Sequence, residues 1–367
     1  LTFTAGVTLH SSVGTGQVVN LDVADNQTLV TMSGVISGGG NFIVPTKRGI
    51  GTLVWSGNNT FDVRDFVSLA DFDDSDGIRI EGGVLRVAHS NALGTSTQNA
   101  AVNLRGDAGA VLEIDGTTAN GNVTITGRVF DIMGADVNSS TTMGTRGFLN
   151  RSSSEAVHTG TLRNLGGNNS IVSPNNEIRL RNIGNNGNPT TFTFGSNAGT
   201  LDHMCGLTGY QNNNTLTAQT NRGIYKVGDG ALRYSGANAN NITGTNYVLN
   251  GALELNKSVA DGAIAGALII GDNVGGSNDD RAVLMASNQI AGAVTVQSSG
   301  QLSFNPGISD TFSGAIVLTA GPASSSNISF NGGTLNNDVN INYFPGTSAS
   351  SGVTITGDFA LPAVRTF

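Results

Sequence analysis

The sequence predicts an all-β protein, a parallel β-solenoid with irregular loops, and three observations support that prediction. Short alternating runs of apolar and polar residues occur throughout, such as VVNLDV at 18–23, VLRV at 84–87 and QLSF at 301–304, and a period of two is typical of strands. Gly, Asn, Asp or Ser brackets each run, as turns require. Several phrases also recur along the chain, which indicates a repeat architecture.

The clearest repeat is a phrase at 49–61, GIGTLVWSGNNTF, that returns as GDGALRYSGANAN at 228–240. Both copies keep Gly, Gly, Leu, an aromatic residue, Ser, Gly and Asn in matching places. VTITG likewise occurs at 123–127 and at 353–357. We interpret the longer phrase as one strand with inward Leu53 and its corner, and its second copy as the same place on a later coil.

A solenoid accounts for the composition. Its coils stack about 4.8 Å apart, so inward Val, Ile and Leu meet their counterparts, while Gly and Asn suit the corners. The chain has 52 Gly and only 12% charged residues. With about 20 to 25 residues per coil, we expect about 15 to 18 coils. We treat residues 1–367 as one continuous solenoid with repeat-like units near 33–104 and 223–304.

Charge, hydropathy and cysteine content narrow the functional classes. A formal net charge of −8 without a basic cluster argues against a nucleic-acid partner. No apolar run reaches the roughly 18 residues that a membrane span needs. Cys205 has no second cysteine to pair with, so we expect a buried, small hydrophobic residue. The chain begins without Met or a signal peptide, and we expect a segment of a longer chain or a fibre subunit.

The repeated phrase and the GGVLRV stretch at 82–87 carry a family resemblance. They resemble the autotransporter-associated (passenger-associated) β-strand repeat of bacterial surface proteins, through Gly51, Thr52, Leu53, Ser56, Gly57, Asn59, Thr60, Phe61, Gly82, Gly83, Leu85 and Val87. SGVISGGGNF at 33–42 resembles the lead-in to that repeat, and 267–276 with 284–304 is similar to its connectors. The resemblance implies a right-handed parallel β-helix, located extracellularly or at the outer cell surface, and implies no particular activity.

One acidic cluster is a candidate metal site, formed by Asp71, Asp73, Asp74 and Asp76. Ca²⁺ takes six to eight oxygen ligands, but the spacing departs from the EF-hand, because Asp76 occupies the place of the required glycine. Acidic runs are usually solvated loops. A calcium site is therefore the alternative interpretation, and no other cofactor is predicted. Asp279 and Asp280 form a weaker candidate of the same kind.

No catalytic constellation stands out in the sequence, so we expect no enzyme. The four histidines, His10, His89, His158 and His203, are far apart and lack the spacing of a metal site. We expect surface or corner positions for most of them. No GxSxG nucleophile context occurs either.

These observations favour a structural function: a segment of a bacterial surface stalk, or a self-assembling filament. Both ends are strand-like, so we expect a homo-oligomer formed by end-to-end stacking. One alternative is an adhesin that binds glycan or a cell-surface protein through loops between Asp62 and Asp76 or between Gly184 and Asn188. A polysaccharide lyase or hydrolase, which would need convergent carboxylates, is a further alternative.

Overall fold

The computed structural model shows a chain made of short β-strands. It describes residues 1–10, 17–39, 43–63, 77–95, 100–105, 109–134, 161–173, 177–182, 190–211, 220–276, 278–321, 326–336, 338–343 and 352–361. None of these residues lies in a helix. Accordingly, this part of the chain contains no helix that is long and apolar enough to cross a membrane.

The strands of the described residues are short and follow one another closely along the chain. In chain order they are β1 (Thr2–Phe3), β2 (Val7–Leu9), β3 (Gln17–Asp22), β4 (Leu29–Met32), β5 (Ile36–Gly38), β6 (Ile43–Arg48), β7 (Thr52–Trp55), β8 (Ile78–Ile80), β9 (Val84–Val87), β10 (Ala101–Arg105), β11 (Val111–Asp115), β12 (Thr124–Thr126), β13 (Val129–Gly134), β14 (Leu162–Gly166), β15 (Asn168–Val172) and β16 (Glu177–Asn182). They continue with β17 (Thr190–Ser196), β18 (Thr200–His203), β19 (Gly206–Gln211), β20 (Arg222–Val227), β21 (Ala231–Gly236), β22 (Asn246–Val248), β23 (Gly251–Lys257), β24 (Leu268–Ile270), β25 (Asp280–Leu284), β26 (Val294–Val296), β27 (Gly300–Phe304), β28 (Thr311–Phe312), β29 (Ile316–Ala320), β30 (Ser326–Leu335), β31 (Val339–Tyr343) and β32 (Val353–Ala360).

The strands form three parallel sheets; the chain visits all three in turn from β11 to β19, and from β20 onward the described strands belong to the first and second sheets only. The first sheet has 13 strands in the order β1-β4-β7-β9-β11-β14-β17-β20-β22-β24-β26-β29-β31. The second has ten, from β12 through β30 to β32, and the third has seven, from β3 to β19. In the first two coils, β2 and β5 form a separate two-stranded sheet, and along the chain each follows a first-sheet strand and precedes a third-sheet strand. The predicted parallel β-solenoid is confirmed. Strand order does not define the handedness of winding, so right-handed winding stays a prediction.

One column of inward side chains runs through the first sheet from coil to coil. In register, its members are Val30, Leu53, Leu85, Leu112, Leu162, Phe194, Lys226, Val248, Ile270, Val296, Leu318 and Ile341. From Leu53 to Leu318 every member is at most 2% exposed. Burying an aliphatic side chain of this size contributes about 1.5–3 kcal/mol. The column is therefore a continuous buried contact between coils, and it includes the inward Leu53 that the sequence predicts.

The number of coils differs from the sequence prediction. Among the described residues the first sheet has 13 strands, between Thr2 and Tyr343, which is fewer than the predicted 15 to 18 coils. Facing residues of neighbouring strands are 22 residues apart at Tyr225 and Tyr247, but 50 apart at Leu112 and Leu162. Coils of this solenoid differ in length because their corners carry insertions of different size, which a fixed period cannot represent.

The two copies of the repeated phrase occupy different sides of the solenoid, which corrects the expectation that they share one place. The first copy makes the corner from β6 of the third sheet to β7 of the first. The second copy makes the corner from β20 of the first sheet to β21 of the second. The phrase specifies a strand, a corner and a strand, but local sequence does not specify which side of the solenoid they form. The two VTITG phrases, by contrast, both contribute to the second sheet, in β12 and β32.

A glycine on the following coil allows each of these corners to pack closely. A Cβ atom on Gly251 would lie 2.4 Å from the carbonyl oxygen of Gly228 and 2.6 Å from that of Gly230. On Gly83 it would lie 2.5 Å from the oxygen of Gly49. Both Gly83 and Gly251 also have positive φ, at 60° and 68°. The corner therefore needs glycine for backbone conformation and for space.

We expect Gly251→Ala to lower the free energy of unfolding well beyond the roughly 1–2 kcal/mol cost of a left-handed conformation, since the new methyl group collides with two carbonyl oxygens. Gly307→Ala is the matched control, because Gly307 has φ +78° but a Cβ atom there would have no described atom within 4 Å. Urea unfolding of both variants measures the difference. Equal losses at the two positions would show that the close approach at Gly251 does not matter.

Candidate functional site

A buried lysine stands before the first copy of the repeated phrase and joins two coils. Lys47 Nζ donates hydrogen bonds to the carbonyl oxygens of Arg48 at 2.5 Å, Gly49 at 2.9 Å and Gly82 at 3.1 Å. Arg48 and Gly49 belong to the corner itself, whereas Gly82 lies on the next coil. The ammonium group thus satisfies three backbone acceptors and ties this corner to the coil above it.

A second lysine repeats the arrangement on a different side of the solenoid. Lys226 Nζ donates to the carbonyl oxygens of Val227 at 3.1 Å, Gly228 at 2.6 Å and Asn250 at 2.7 Å. Lys226 occupies the inward column between Phe194 and Val248, where every other member is apolar. Its position is explained by the three carbonyl groups at the corner, which an apolar side chain could not satisfy.

The two lysines extend the repeated phrase to KxGxGxL, at 47–53 and at 226–232. Sequence reasoning missed them, because a lone lysine in a strand is usually a solvated residue. The available signal was the shared spacing of two residues between the lysine and the first glycine. Burial lowers the pKa of Lys47 to about 8 and that of Lys226 to about 7. Nearby Asp280 and Asp229 oppose the shift at Lys226.

An asparagine closes the far end of the first phrase. Asn59 Oδ1 accepts a hydrogen bond from the backbone N–H of Ile36 at 2.8 Å, and its Nδ2 donates to the carbonyl oxygen of Ala92 at 2.7 Å. Ile36 lies on the coil before and Ala92 on the coil after. A buried amide therefore links three consecutive coils at this corner.

Asn240 has the equivalent role in the second phrase. Its Oδ1 accepts from the N–H of Leu207 at 3.0 Å, and its Nδ2 donates to the oxygen of Ala263 at 2.9 Å. Matching the two phrases letter by letter pairs Asn59 with Asn238 instead. The structural counterpart is two residues further along, because the second strand and its corner are longer.

The interior of the solenoid contains an aromatic group around His203, contrary to the expected surface or corner position. The His203 ring lies 5.2 Å from the Phe194 ring, edge to face, and 6.1 Å from the Tyr234 ring. Neither ring nitrogen has a hydrogen-bond partner among the described residues. Burial lowers the pKa of His203 to about 3, with a further contribution from Lys257. The alternation TLDH, with Leu201 and His203 inward, was the sequence signal for this position.

Charged side chains form a ladder at the outward-pointing positions of the first sheet. Arg86, Glu113 and Arg163 face one another across three strands of the first sheet. Glu113 is only 1% exposed and pairs with both arginines, with 2.7 Å between its Oε2 and Arg86 Nε. Removing one partner of such a buried pair leaves an uncompensated charge, which typically costs about 3–5 kcal/mol. The ladder therefore favours one register between these coils.

The third sheet has a comparable polar group on its strands. Arg181 NH1 lies 2.8 Å from Asp131 Oδ2, and Arg179 Nε lies 2.6 Å from Glu177 Oε1. The Tyr210 hydroxyl donates to Glu177 Oε2 at 3.0 Å, and burial beside this carboxylate raises the pKa of Tyr210 to about 12. Each of these carboxylates is already engaged by an arginine, which is the arrangement of a structural ion pair.

Several predicted site residues lie outside the described residues. These are the candidate calcium ligands Asp71, Asp73, Asp74 and Asp76, together with His158. The same holds for most of the loop between Asp62 and Asp76 and for the loop from Gly184 to Asn188. The calcium site and the adhesin loops therefore stay predictions.

The weaker acidic pair and the cysteine lie within the described residues. Asp279 Oδ2 accepts from the N–H of Gly276 at 2.5 Å. Asp280 is buried, accepts from the hydroxyl of Ser299 at 2.6 Å, and has its pKa raised to about 7 by burial. In this part of the chain no three His, Cys, Asp or Glu side chains form a group that could hold a metal ion. Cys205 is buried, as predicted, and burial raises its pKa to about 11.

The first and last coils expose side chains that belong to the inward column. Leu1 is 75% exposed and Ile341 is 39% exposed. Their strands, β1 and β31, each pair with one neighbour only among the described strands, β4 and β29. β1 and β31 are thus the outermost first-sheet strands of the described part of the chain.

Comparison with known proteins yields no match: no protein family, curated protein or solved structure matches the chain. The resemblance to the autotransporter-associated repeat therefore rests on the quoted residues alone. The functional proposal therefore depends on the corner hydrogen bonds and the inward column that join neighbouring coils.

The buried histidine predicts acid sensitivity. The folded pKa of His203, about 3, lies below its ordinary value of 6.5. Its contribution to the free energy of unfolding is therefore full above about pH 6.5 and decreases as the pH falls towards 3. As the pH falls from 6.5 to 4, we expect the free energy of unfolding to decrease less in His203→Phe than in the wild type. Urea midpoints across this range measure the effect, with His10→Phe at an exposed position as the control. Parallel curves for wild type and His203→Phe would contradict the expectation.

The buried amine of Lys226 predicts that stability also rises with pH in the alkaline range. Its folded pKa of about 7 lies below the ordinary 10.5, so between these values the unfolded chain binds more protons and the free energy of unfolding increases with pH. Lys226→Met lacks this titration and leaves three carbonyl groups without their donor. We expect the stability deficit of Lys226→Met to be larger at pH 9.5 than at pH 7, measured by urea unfolding. A deficit independent of pH would contradict the burial of a titrating ammonium.

Proposed function

We propose that this chain is a structural, non-catalytic β-solenoid that serves as a segment of an extracellular surface stalk or a self-assembling filament. The observation that carries the proposal is the inward column of the first sheet, which runs in register from coil to coil and is buried from Leu53 to Leu318. A solenoid coil contacts only its neighbours. Such an assembly gains stability by adding coils and loses it at each uncovered end.

The corner lysines, the corner asparagines and the charged ladder all connect one coil to the next. The Lys47 and Lys226 ammonium groups reach a carbonyl on the following coil. Asn59 and Asn240 span adjacent coils, and Glu113 is held from both sides. These contacts resist separation of the coils along the solenoid axis, which is the property that a stalk or filament requires.

Among the described strands, β1 and β31 have one first-sheet partner each, which supports end-to-end association as the means of elongation. An exposed strand edge offers unpaired N–H and C=O groups to another strand, and such pairing adds main-chain hydrogen bonds. Head-to-tail contacts between two different edges do not close on themselves, so they produce fibres. We therefore propose a homo-oligomer built by stacking one chain on the next. A location outside the cell is part of the same proposal and is supported by the resemblance to surface-protein repeats.

We expect Ile341→Lys to abolish end-to-end association, because it places a charge on the apolar end position without disturbing a buried residue. The matched control is Val274→Lys, at a site that is 62% exposed and lies in the β24–β25 connection, away from both ends. Sedimentation velocity and electron microscopy of the wild-type chain should show elongated multimers. Ile341→Lys should give single short rods, and Val274→Lys should behave like the wild type.

Two results would contradict the proposal. One is a wild-type chain that stays monomeric at every concentration tested. The other is multimers that form equally well with Ile341→Lys, since association would then use another surface.

A further inference from the structure

We infer that the peptide bond between Ser298 and Ser299 is a self-cleavage site, with the Ser299 hydroxyl as nucleophile and the Asp280 carboxylate as general base. The substrate is a peptide bond of the chain itself, in the corner between β26 and β27. The reaction occurs once in each molecule. It is independent of end-to-end assembly, because all of its groups lie within one chain.

The backbone at Ser299 has a conformation that favours glycine. The N–H of Gly300 donates to the carbonyl oxygen of Gln297 at 2.9 Å, which closes a turn with Ser298 and Ser299 at its centre. Ser299 has φ +77°, and a positive φ at the third residue of a turn indicates type II, which usually has Gly or Asn there. The other non-glycine residues with positive φ in the described part of the chain are all Asp or Asn. Residues held in such conformations are concentrated at functional sites.

The Ser299 hydroxyl lies between a base and an electrophile. Its Oγ is 2.6 Å from Asp280 Oδ2 and is also within hydrogen-bond distance of the carbonyl oxygen of Ser298. When the hydroxyl donates its proton to Asp280, the lone pairs of Oγ remain beside the carbonyl group of Ser298. A hydroxyl group within reach of a base in this way is the arrangement of an activated serine.

Asp280 is placed and tuned to act as that base. It is 2% exposed, and its backbone N–H donates to the carbonyl oxygen of Ser299 at 3.4 Å, so main chain and side chain both hold it beside Ser299. Burial raises the pKa of Asp280 to about 7, and the neighbouring carboxylates of Asp272 and Asp279 add to this shift. A general base is most effective when its pKa lies near the working pH.

A backbone N–H of the neighbouring coil stabilises the charge that attack creates. The N–H of Asn273, just after β24, donates to the carbonyl oxygen of Ser298 at 3.2 Å. Attack on the carbonyl carbon places negative charge on this oxygen, and a fixed N–H aimed at it lowers the barrier. Ser298 and Ser299 are both buried, which favours the internal hydroxyl over solvent water as the first nucleophile.

The reaction has two stages. In the first, the Ser299 Oγ bonds to the carbonyl carbon of Ser298 while Asp280 takes the hydroxyl proton. The C–N bond between the two serines then breaks, and Asp280 returns the proton to the leaving amine, which gives an ester. In the second stage a water molecule hydrolyses the ester. Ser298 then ends one fragment with a carboxyl group, and Ser299 begins the other with its hydroxyl restored.

The two fragments remain associated in the folded solenoid. β26, before the broken bond, pairs with β29 after it. β27, after the bond, pairs with β25 before it. Cleavage is therefore detected only after the chain has been denatured.

Incubation of the purified full chain at mildly alkaline pH tests the inference, with a denaturing gel and mass spectrometry as the measurements. We expect two fragments, one ending at Ser298 and one beginning at Ser299. Hydroxylamine attacks esters more readily than water does. It should therefore speed the cleavage and leave a hydroxamate at Ser298, a product that a contaminating protease would not give.

Three variants assign the roles of the side chains. Ser299→Gly should abolish cleavage, and it should fold because glycine suits the positive φ. Ser298→Ala is the matched control, since it keeps the nucleophile, the base and the carbonyl group, and it should cleave like the wild type. Asp280→Asn should slow cleavage by about 10²-fold or more, the usual contribution of a general base. Circular dichroism verifies that each variant folds.

Three results would overturn the inference. The first is a wild-type chain that stays intact even with hydroxylamine. The second is cleavage at this bond that persists in Ser299→Gly. The third is an unchanged rate in folded Asp280→Asn. Cleavage with the expected dependence on Ser299 and Asp280 would support the inference whether or not the chain forms filaments, so the proposed assembly is tested separately.

Discussion

The in-register contact between neighbouring coils is the interaction on which the rest of the structure depends. A single coil has two unpaired backbone edges and cannot bury its inward residues, so it has no stability of its own. Stacking satisfies both requirements at once, through parallel pairing of the strands and burial of the inward column that contains Leu53. Neighbouring coils can differ in length because only their facing strands must match.

At the corners, where strands end, the backbone groups must be satisfied without a neighbouring strand. Corner carbonyl groups cannot join a sheet, so buried side chains supply their hydrogen bonds, as Lys47 and Lys226 do. Their cost is visible in the lowered pKa values of both ammonium groups. Gly251 shows the complementary requirement, since its missing side chain lets two corners approach. The buried lysines and the glycine therefore both allow the corners of neighbouring coils to pack closely.

Much of the fold could be predicted from the sequence, because period-two alternation and turn residues are local signals. Leu53 and Cys205 are buried as expected. The side of the solenoid on which each phrase lies could not be predicted, since it depends on how many strands precede it and not on the phrase. His203 was misjudged because a histidine with neither ring nitrogen bonded is unusual in a core.

The candidate site was less predictable than the fold. Sequence reasoning pointed to Asp71 and its neighbours, which lie outside the described residues, whereas the structure directs attention to Lys226 and to the edges. Lys226 is recognisable only when its column is known, because its neighbours in the column are Phe194, 32 residues before it, and Val248, 22 residues after it. Contacts between coils are long-range in sequence, so single-residue patterns do not reveal them.

Cryo-electron microscopy of the assembled wild-type chain tests the central claim most directly, by measuring the spacing of coils along the filament. If coil-to-coil stacking is the organising interaction and continues across the joint, the spacing of about 4.8 Å should run unbroken through the filament. The 13 first-sheet strands of the described residues should then account for about 62 Å of the axial repeat of each chain. A gap or a sideways step at each joint, or a repeat shorter than about 62 Å, would contradict the account.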